Sequence, residues 1–113
     1  MGGILVMRRP INQTRSWVRL LAAVSVAIGA AGCGNMIYAV NANAAQSRLE
    51  EAKEIGAERL APYEYYMARE HLDKAQREAA EADYGDAAEL ASLSEEYAIQ
   101  AVKLAKTARE AGR

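Results

Sequence analysis

Asp83-Tyr84-Gly85-Asp86-Ala87 separates two long alanine-rich stretches, and its reading decides the fold. Gly85 is suited to the left-handed backbone that ends a helix. Asp86 is placed to cap the helix that follows, with Glu89 three residues on, as in a capping box. Two helices joined this tightly are antiparallel neighbours. The stretch therefore predicts a helical hairpin.

Apolar periodicity on both sides supports it. Before the turn, Tyr65, Ala68, Leu72, Ala75, Ala79 and Ala82 step by three and four along a helix predicted over 62–83. After it, Leu90, Leu93, Tyr97, Ala101, Leu104 and Ala108 form the seam of a helix predicted over 86–111. A second stripe, Ala91, Ala98 and Ala105, lies beside that seam. Glu89, Glu95 and Glu96 fill the helix's first half and Lys103, Lys106 and Arg109 its last turns, an order that suits the helix dipole. Glu70–Lys74 and Asp73–Arg77 are spaced to pair across one turn of the preceding helix.

Upstream, Tyr38, Ala42, Ala45, Leu49, Ala52 and Gly56 step by four and three, predicting a first helix over about 36–60. Gly56 weakens that helix by up to about 1 kcal/mol relative to alanine, and among alanines it reads as a close-packing position. Pro62 removes a backbone donor and suits the first position of a new helix, with Glu64 in its first turn. Ala61 caps poorly, so a kink and a full turn both fit the break. The fold class is all-α, either an antiparallel hairpin with a projecting first helix or a small three-helix bundle with alanine-rich, coiled-coil-like seams.

Composition agrees. After Cys33 the chain is rich in Ala, Glu, Lys, Leu and Arg, with Pro62 its only proline and no phenylalanine. At 113 residues it holds one domain. Charge is split. Arg8, Arg9, Arg15 and Arg19 are the only charged side chains before Cys33, while ten basic and fifteen acidic residues follow it, a net of −5. An acidic body excludes a nucleic-acid footprint.

Leu20 to Ala31 is a short apolar run behind the basic segment, the length of a signal-peptide core and too short for the roughly 20 apolar residues of a membrane span. It ends in Ala30-Ala31-Gly32-Cys33, which carries the only cysteine. That ending resembles a bacterial lipobox, with Ala30 where leucine is usual. The resemblance implies diacylglycerol on the Cys33 sulfur, cleavage between Gly32 and Cys33, and acylation of the new amino group. Residues 1–32 are then a signal peptide, with Met7 a second candidate start, and 33–113 a lipid-anchored domain. By the same resemblance Gly34 and Asn35, where aspartate would retain the chain in the inner membrane, point to the periplasmic face of the outer membrane. A plain secretion signal and an uncleaved anchor are the alternatives.

From Leu60 to Ala111 the chain resembles a family of uncharacterised bacterial envelope lipoproteins. The carrying residues are Ala61-Pro62-Tyr63-Glu64-Tyr65-Tyr66, then Ala68, Leu72 and Ala75, then Asp83-Tyr84-Gly85-Asp86-Ala87. The resemblance implies a small exported helical hairpin; in some members a similar domain precedes an OmpA-like domain, absent here. The hairpin also resembles one tetratricopeptide unit, although three or more are needed for an array.

No catalytic constellation stands out, and no enzyme activity, cofactor or metal is expected. His71 is the only histidine, and Met67, Ala68, Lys74 and Ala75, at helical spacing from it, are not ligands. The glutamates alternate with lysine and arginine as on a solvated face. Tyr63 and Tyr66 form the one candidate partner surface, with Tyr65 in the seam, and the hairpin predicts that they lie near Leu104 to Ala108. The expected role is a structural or protein-interaction lipoprotein of the cell envelope, held to a membrane through Cys33, with an envelope protein or a second copy as partner. The alternative is an accessory subunit of an envelope transport or cell-wall enzyme system.

Overall fold

The computed structural model describes the backbone from residue 12 to 113 and the side chains of residues 15–23 and 33–113. The protein is all-α, and among the described residues there is no strand. Its helices are α1 (Asn12–Glu54), α2 (Ala57–Leu60), α3 (Pro62–Ala80) and α4 (Tyr84–Ala111). Among the described residues no helix is long and apolar enough to cross a membrane.

The chain divides into two units, Met1–Gly32 and Cys33–Arg113. In the first, Trp17, Val18 and Leu20 are exposed.

The second unit is a three-helix bundle. Asn41 Nδ2 of α1 donates to the Ala88 carbonyl at 3.1 Å, and Lys106 Nζ reaches Glu51 Oε1 at 3.1 Å. Both helices thus climb in the same direction, and α3 descends between them. Ala45, Leu49 and Ala52 of α1 join one core with Tyr65, Ala68 and Leu72 of α3 and Ala98, Ala101, Val102 and Ala105 of α4. The first helix therefore packs on the hairpin and does not project from it.

The buried face of α4 follows the expected second stripe of Ala91, Ala98 and Ala105 together with Ala101, and not the leucines of the expected seam. Ala87, Ala91, Ser94, Ala98, Ala101 and Ala105 are all fully buried, stepping by four and three. Leu90, Leu93 and Tyr97 are half-buried, and Leu104 is exposed. The physical reason is size. Alanine and serine let two helix backbones approach α4 closely, and large side chains at those positions would hold them apart. The leucines then cover the seam's edge. On α3 the predicted seam holds at Tyr65, Ala68, Leu72 and Ala75, and fails at Ala79 and Ala82, which approach or enter the turn.

Chain reversals also fall elsewhere. Gly85 lies inside the first turn of α4, and the left-handed residue is Ala82, at φ 63°. The Asp83 amide donates to the Glu78 carbonyl at 2.9 Å and the Ala82 amide to the Ala79 carbonyl at 3.0 Å, the paired bonds of a Schellman ending. Asp83 is the cap of α4, its carboxylate accepting from the Asp86 amide at 3.4 Å. The hairpin is as expected, but its capping begins one turn earlier, so α3 ends at Ala80 and neither Asp86 nor Glu89 serves as a cap.

The first helix is broken at Ile55-Gly56, where Gly56 takes a φ of 83°. Gly56 is thus a turn residue and not a packing contact. Pro62 opens α3 at its first position, as predicted, after an Ala61 at φ −142° and ψ 60°. The expected pairs Glu70–Lys74 and Asp73–Arg77 do not close. Among the described residues the ion pairs are Arg48–Glu51 at 3.0 Å and Lys106–Glu51 at 3.1 Å. Exposed pairs gain little and lose side-chain entropy.

Candidate functional site

Two regions carry the sequence-predicted residues. The first is the stretch of α1 from Cys33 onward, midway along the helix, which is the head of that part of α1 belonging to the second unit. Cys33 is exposed there, its thiol free. Gly32, on the other side of the expected cleavage, lies outside the residues whose surroundings are described.

The residues after Cys33 dock the head of α1 on α4. A Cβ placed on Gly34 would sit 3.2 Å from the Tyr84 Cβ, so glycine permits the approach. One turn on, the Tyr38 ring lies 6.5 Å from that of Tyr84. Asn41, a further turn on, ties the helix to the Ala88 carbonyl. Gly34 has a packing role that sequence reasoning missed. Extending the Tyr38 seam back by four residues reaches it.

The second region is the tyrosine edge. Tyr63 is 63% exposed and Tyr66 is 48% exposed. Tyr63 meets Tyr97 edge-on at 6.3 Å between ring centres, well before Leu104 to Ala108, where the hairpin geometry had predicted it. Tyr97 also lies 5.3 Å from His71. The His71 Nδ1 is 2.8 Å from the Met67 carbonyl, so this nitrogen holds the proton and donates. His71 is thus engaged with its own helix and with Tyr97.

Tyr66 stands edge-on to Tyr65 at 5.4 Å, and the Arg69 guanidinium lies 6.0 Å from both ring centres. This stack fixes the ring of Tyr66 while leaving it accessible. The spacing of Arg69 from Tyr65 and Tyr66, four and three residues, was its signal in the sequence. Electrostatics separates the rings. Burial pushes the Tyr65 hydroxyl's pKa up, aided by Glu58. The Tyr97 hydroxyl is raised chiefly by the neighbouring Tyr63, then by desolvation. Both tyrosines remain neutral at physiological pH.

Other polar groups are accounted for. Ser94 Oγ donates to the Ala68 carbonyl at 2.6 Å in the buried α3–α4 contact, so its hydroxyl is committed to the fold. Glu78, Asp83 and Asp86 bring one carboxylate oxygen each to within 4.8 Å of one another beside the turn. Asp83 is already the cap of α4. An open cleft of about 410 Å³ runs between α1 and α3, floored by Leu49, Tyr65 and Leu72 and rimmed by charges of both signs.

What this arrangement offers is surface. Aromatic rings stack on their neighbours and stay accessible on one edge, and a thiol is exposed at Cys33. The tyrosine edge and the head of α1 are separated along the bundle: Tyr97 lies thirteen residues beyond Tyr84, about 20 Å along α4. No curated protein and no solved structure matches the chain. Residues 41–113, the greater part of the three-helix bundle, match a domain of unknown function, DUF4398, and the chain belongs to that family.

Proposed function

We propose that the protein is a membrane-anchored lipoprotein of the bacterial cell envelope that works as a structural or protein-interaction module. Lipid on Cys33 holds it, on the periplasmic face of the outer membrane, and the tyrosine edge receives an envelope protein. The observation that carries this reading is the sequence Ala30-Ala31-Gly32-Cys33 at the end of a short apolar run behind four arginines.

Three further features support it. The exposed Cys33 is the first residue of the compact unit, so cleavage before it removes nothing from the bundle. The resemblance of Leu60 to Ala111 to envelope lipoproteins points to the same compartment. Tyr63 and Tyr66 are exposed, and Tyr63 packs on Tyr97, about 20 Å along α4 from the Tyr84 end where the stretch after Cys33 docks. Tyrosine suits a partner surface because it offers apolar area and a hydroxyl on a stiff side chain.

Anchoring strength follows from chain number. Each buried CH₂ contributes about 0.8 kcal/mol, so a single acyl chain binds reversibly and several hold the protein permanently.

The test is direct. Cells grown with radiolabelled palmitate should label the protein, Cys33→Ala should abolish the label, and the mass of the mature chain should correspond to residues 33–113 plus acyl groups. Persistent labelling of Cys33→Ala, or a mass that retains residues 1–32, would sink the reading. The tyrosine edge is tested separately by crosslinking in intact envelopes: a protein crosslinked to the wild type and lost in Tyr63→Ala/Tyr66→Ala supports it, and equal crosslinking removes it.

A further inference from the structure

The outer face of α1 changes character along its length. From Cys33 to Ser47, fifteen consecutive residues carry no charge, and from Arg48 the helix carries Arg48, Glu50, Glu51, Lys53 and Glu54 in quick succession. Within the uncharged run, Cys33, Met36, Ile37 and Val40 fall on one helical stripe. A different face, about a third of a turn round the helix, is occupied: Gly34 and Tyr38 lie against Tyr84, Asn41 bonds Ala88, and Ala45 is fully buried. The stripe lies off that contact, with Met36 72%, Ile37 57% and Val40 65% exposed.

Three large apolar side chains contiguous on one face, with no charge among them, form a surface that water disfavours. What covers it follows from its position. On the reading that Cys33 is acylated, the lipid chains leave the protein from the first residue of the stripe itself. Val40 is seven residues further on, about 10 Å along the helix. Apolar faces of interfacial helices sink about 5–10 Å into the boundary between headgroups and acyl chains. With no charged side chain between Cys33 and Arg48, entry of this stretch requires no charge to leave water. A second copy fits less well, because three partly exposed side chains supply far less than the ~800 Å² per partner of a stable protein interface.

We infer that Met36, Ile37 and Val40 form a membrane-contacting stripe that lays the first two turns of the acylated chain in the interface of the lipid bilayer. The body is then held in one orientation and does not swing freely from its anchor. The inference rests on the acylation of Cys33 and adds to it a contact made by the polypeptide.

Site-directed spin labelling tests it on the acylated protein, purified from envelopes and reconstituted in vesicles of phosphatidylethanolamine and phosphatidylglycerol. Acylation blocks the Cys33 sulfur, so a nitroxide reports singly from Met36→Cys, Val40→Cys, Ser47→Cys or Glu54→Cys. All four positions are exposed, so the labels leave the core intact. Labels at Met36→Cys and Val40→Cys should favour collision with oxygen over a water-soluble nickel chelate several-fold more than labels at Ser47→Cys and Glu54→Cys. Equal ratios at all four positions, with acyl chains present by mass, would overturn the inference and leave the anchor standing. Protection from both reagents together with spin–spin broadening would assign the stripe to a second copy and overturn it too. A mass without acyl chains would remove the anchor and the inference together.

Discussion

The head of α1 and the whole of α4 are both alanine-rich helices with one face against the same bundle, yet they present different surfaces. Their inner faces are alike. Gly34 and Ala45 on one, and Ala87, Ala91, Ser94 and Ala98 on the other, are small enough for close backbone approach. Their outer faces are not. α4 turns Glu89, Glu96, Lys103 and Lys106 to water, while the head of α1 turns Met36, Ile37 and Val40 outward. Inner faces of small residues set the fold. Outer faces set the surroundings a helix tolerates, and these two helices are fitted to different ones.

The comparison breaks most visibly at Ser94. Ser94→Leu puts a large side chain into a contact where Ser94 Oγ already lies 2.6 Å from the Ala68 carbonyl and Ala68 is fully buried. Overpacking of this kind costs about 1–3 kcal/mol, and each kcal/mol lowers the melting temperature of a small domain by about 4–8 °C. Val40→Ser on the outer stripe should move the same melting curve in aqueous detergent-free buffer by no more than about 0.5 kcal/mol. Similar losses from both, read by circular dichroism, would show that the stripe belongs to the core.

The next effect sharpens the geometry of the reversals, with opposite signs at two positions. Ala82 holds a left-handed conformation that costs an L-residue roughly 1–2 kcal/mol. Ala82→Gly removes that cost and adds unfolded-chain entropy of about 0.4–1 kcal/mol against it, for a net gain of about 0.5–1 kcal/mol. Gly56→Ala should lose a similar amount. The nearest atom to an added Cβ there is Leu60 Cδ1, at an ordinary 3.9 Å, so the loss comes from the backbone alone. A stabilising Gly56→Ala would mean that the first helix runs through the break.

These positions also show how far the sequence could be read. Helix type, the hairpin, the role of Pro62 and the α3 seam from Tyr65 to Ala75 were legible because they depend on local periodicity and on the special chemistry of proline. The α4 seam was misjudged because hydrophobicity alone ranks Leu90, Leu93 and Leu104 above alanine. Which stripe faces inward depends on how closely two other helices must approach, and that requirement is not local. The turn was misplaced for a related reason. Gly85 is the residue best suited to a left-handed conformation, yet capping by Asp83 and the bonds from Asp83 and Ala82 to Glu78 and Ala79 complete the turn three residues earlier. The tyrosine edge was legible in its exposed members, Tyr63 and Tyr66. The contacts of Tyr97 with Tyr63 and His71 were hidden because they depend on the hairpin's register.

The smallest effect lies where the charged part of α1 begins. Glu51 accepts from the Lys106 ammonium of α4 and from the Arg48 guanidinium of its own helix, and these two bonds hold its pKa below the usual glutamate value. A carboxylate depressed in the folded state adds stability above its unfolded pKa and loses it as pH falls through the folded one. Glu51→Gln should therefore melt slightly below the wild type at neutral pH, with the gap closing as pH falls through and below the ordinary carboxylate range. Because the carboxylate is exposed, added salt should narrow the gap as well. Both trends belong to charge. If the gap persisted unchanged in acid and in salt, Glu51 would be acting through packing, and the boundary between the uncharged head of α1 and its charged remainder would have to be drawn beyond it.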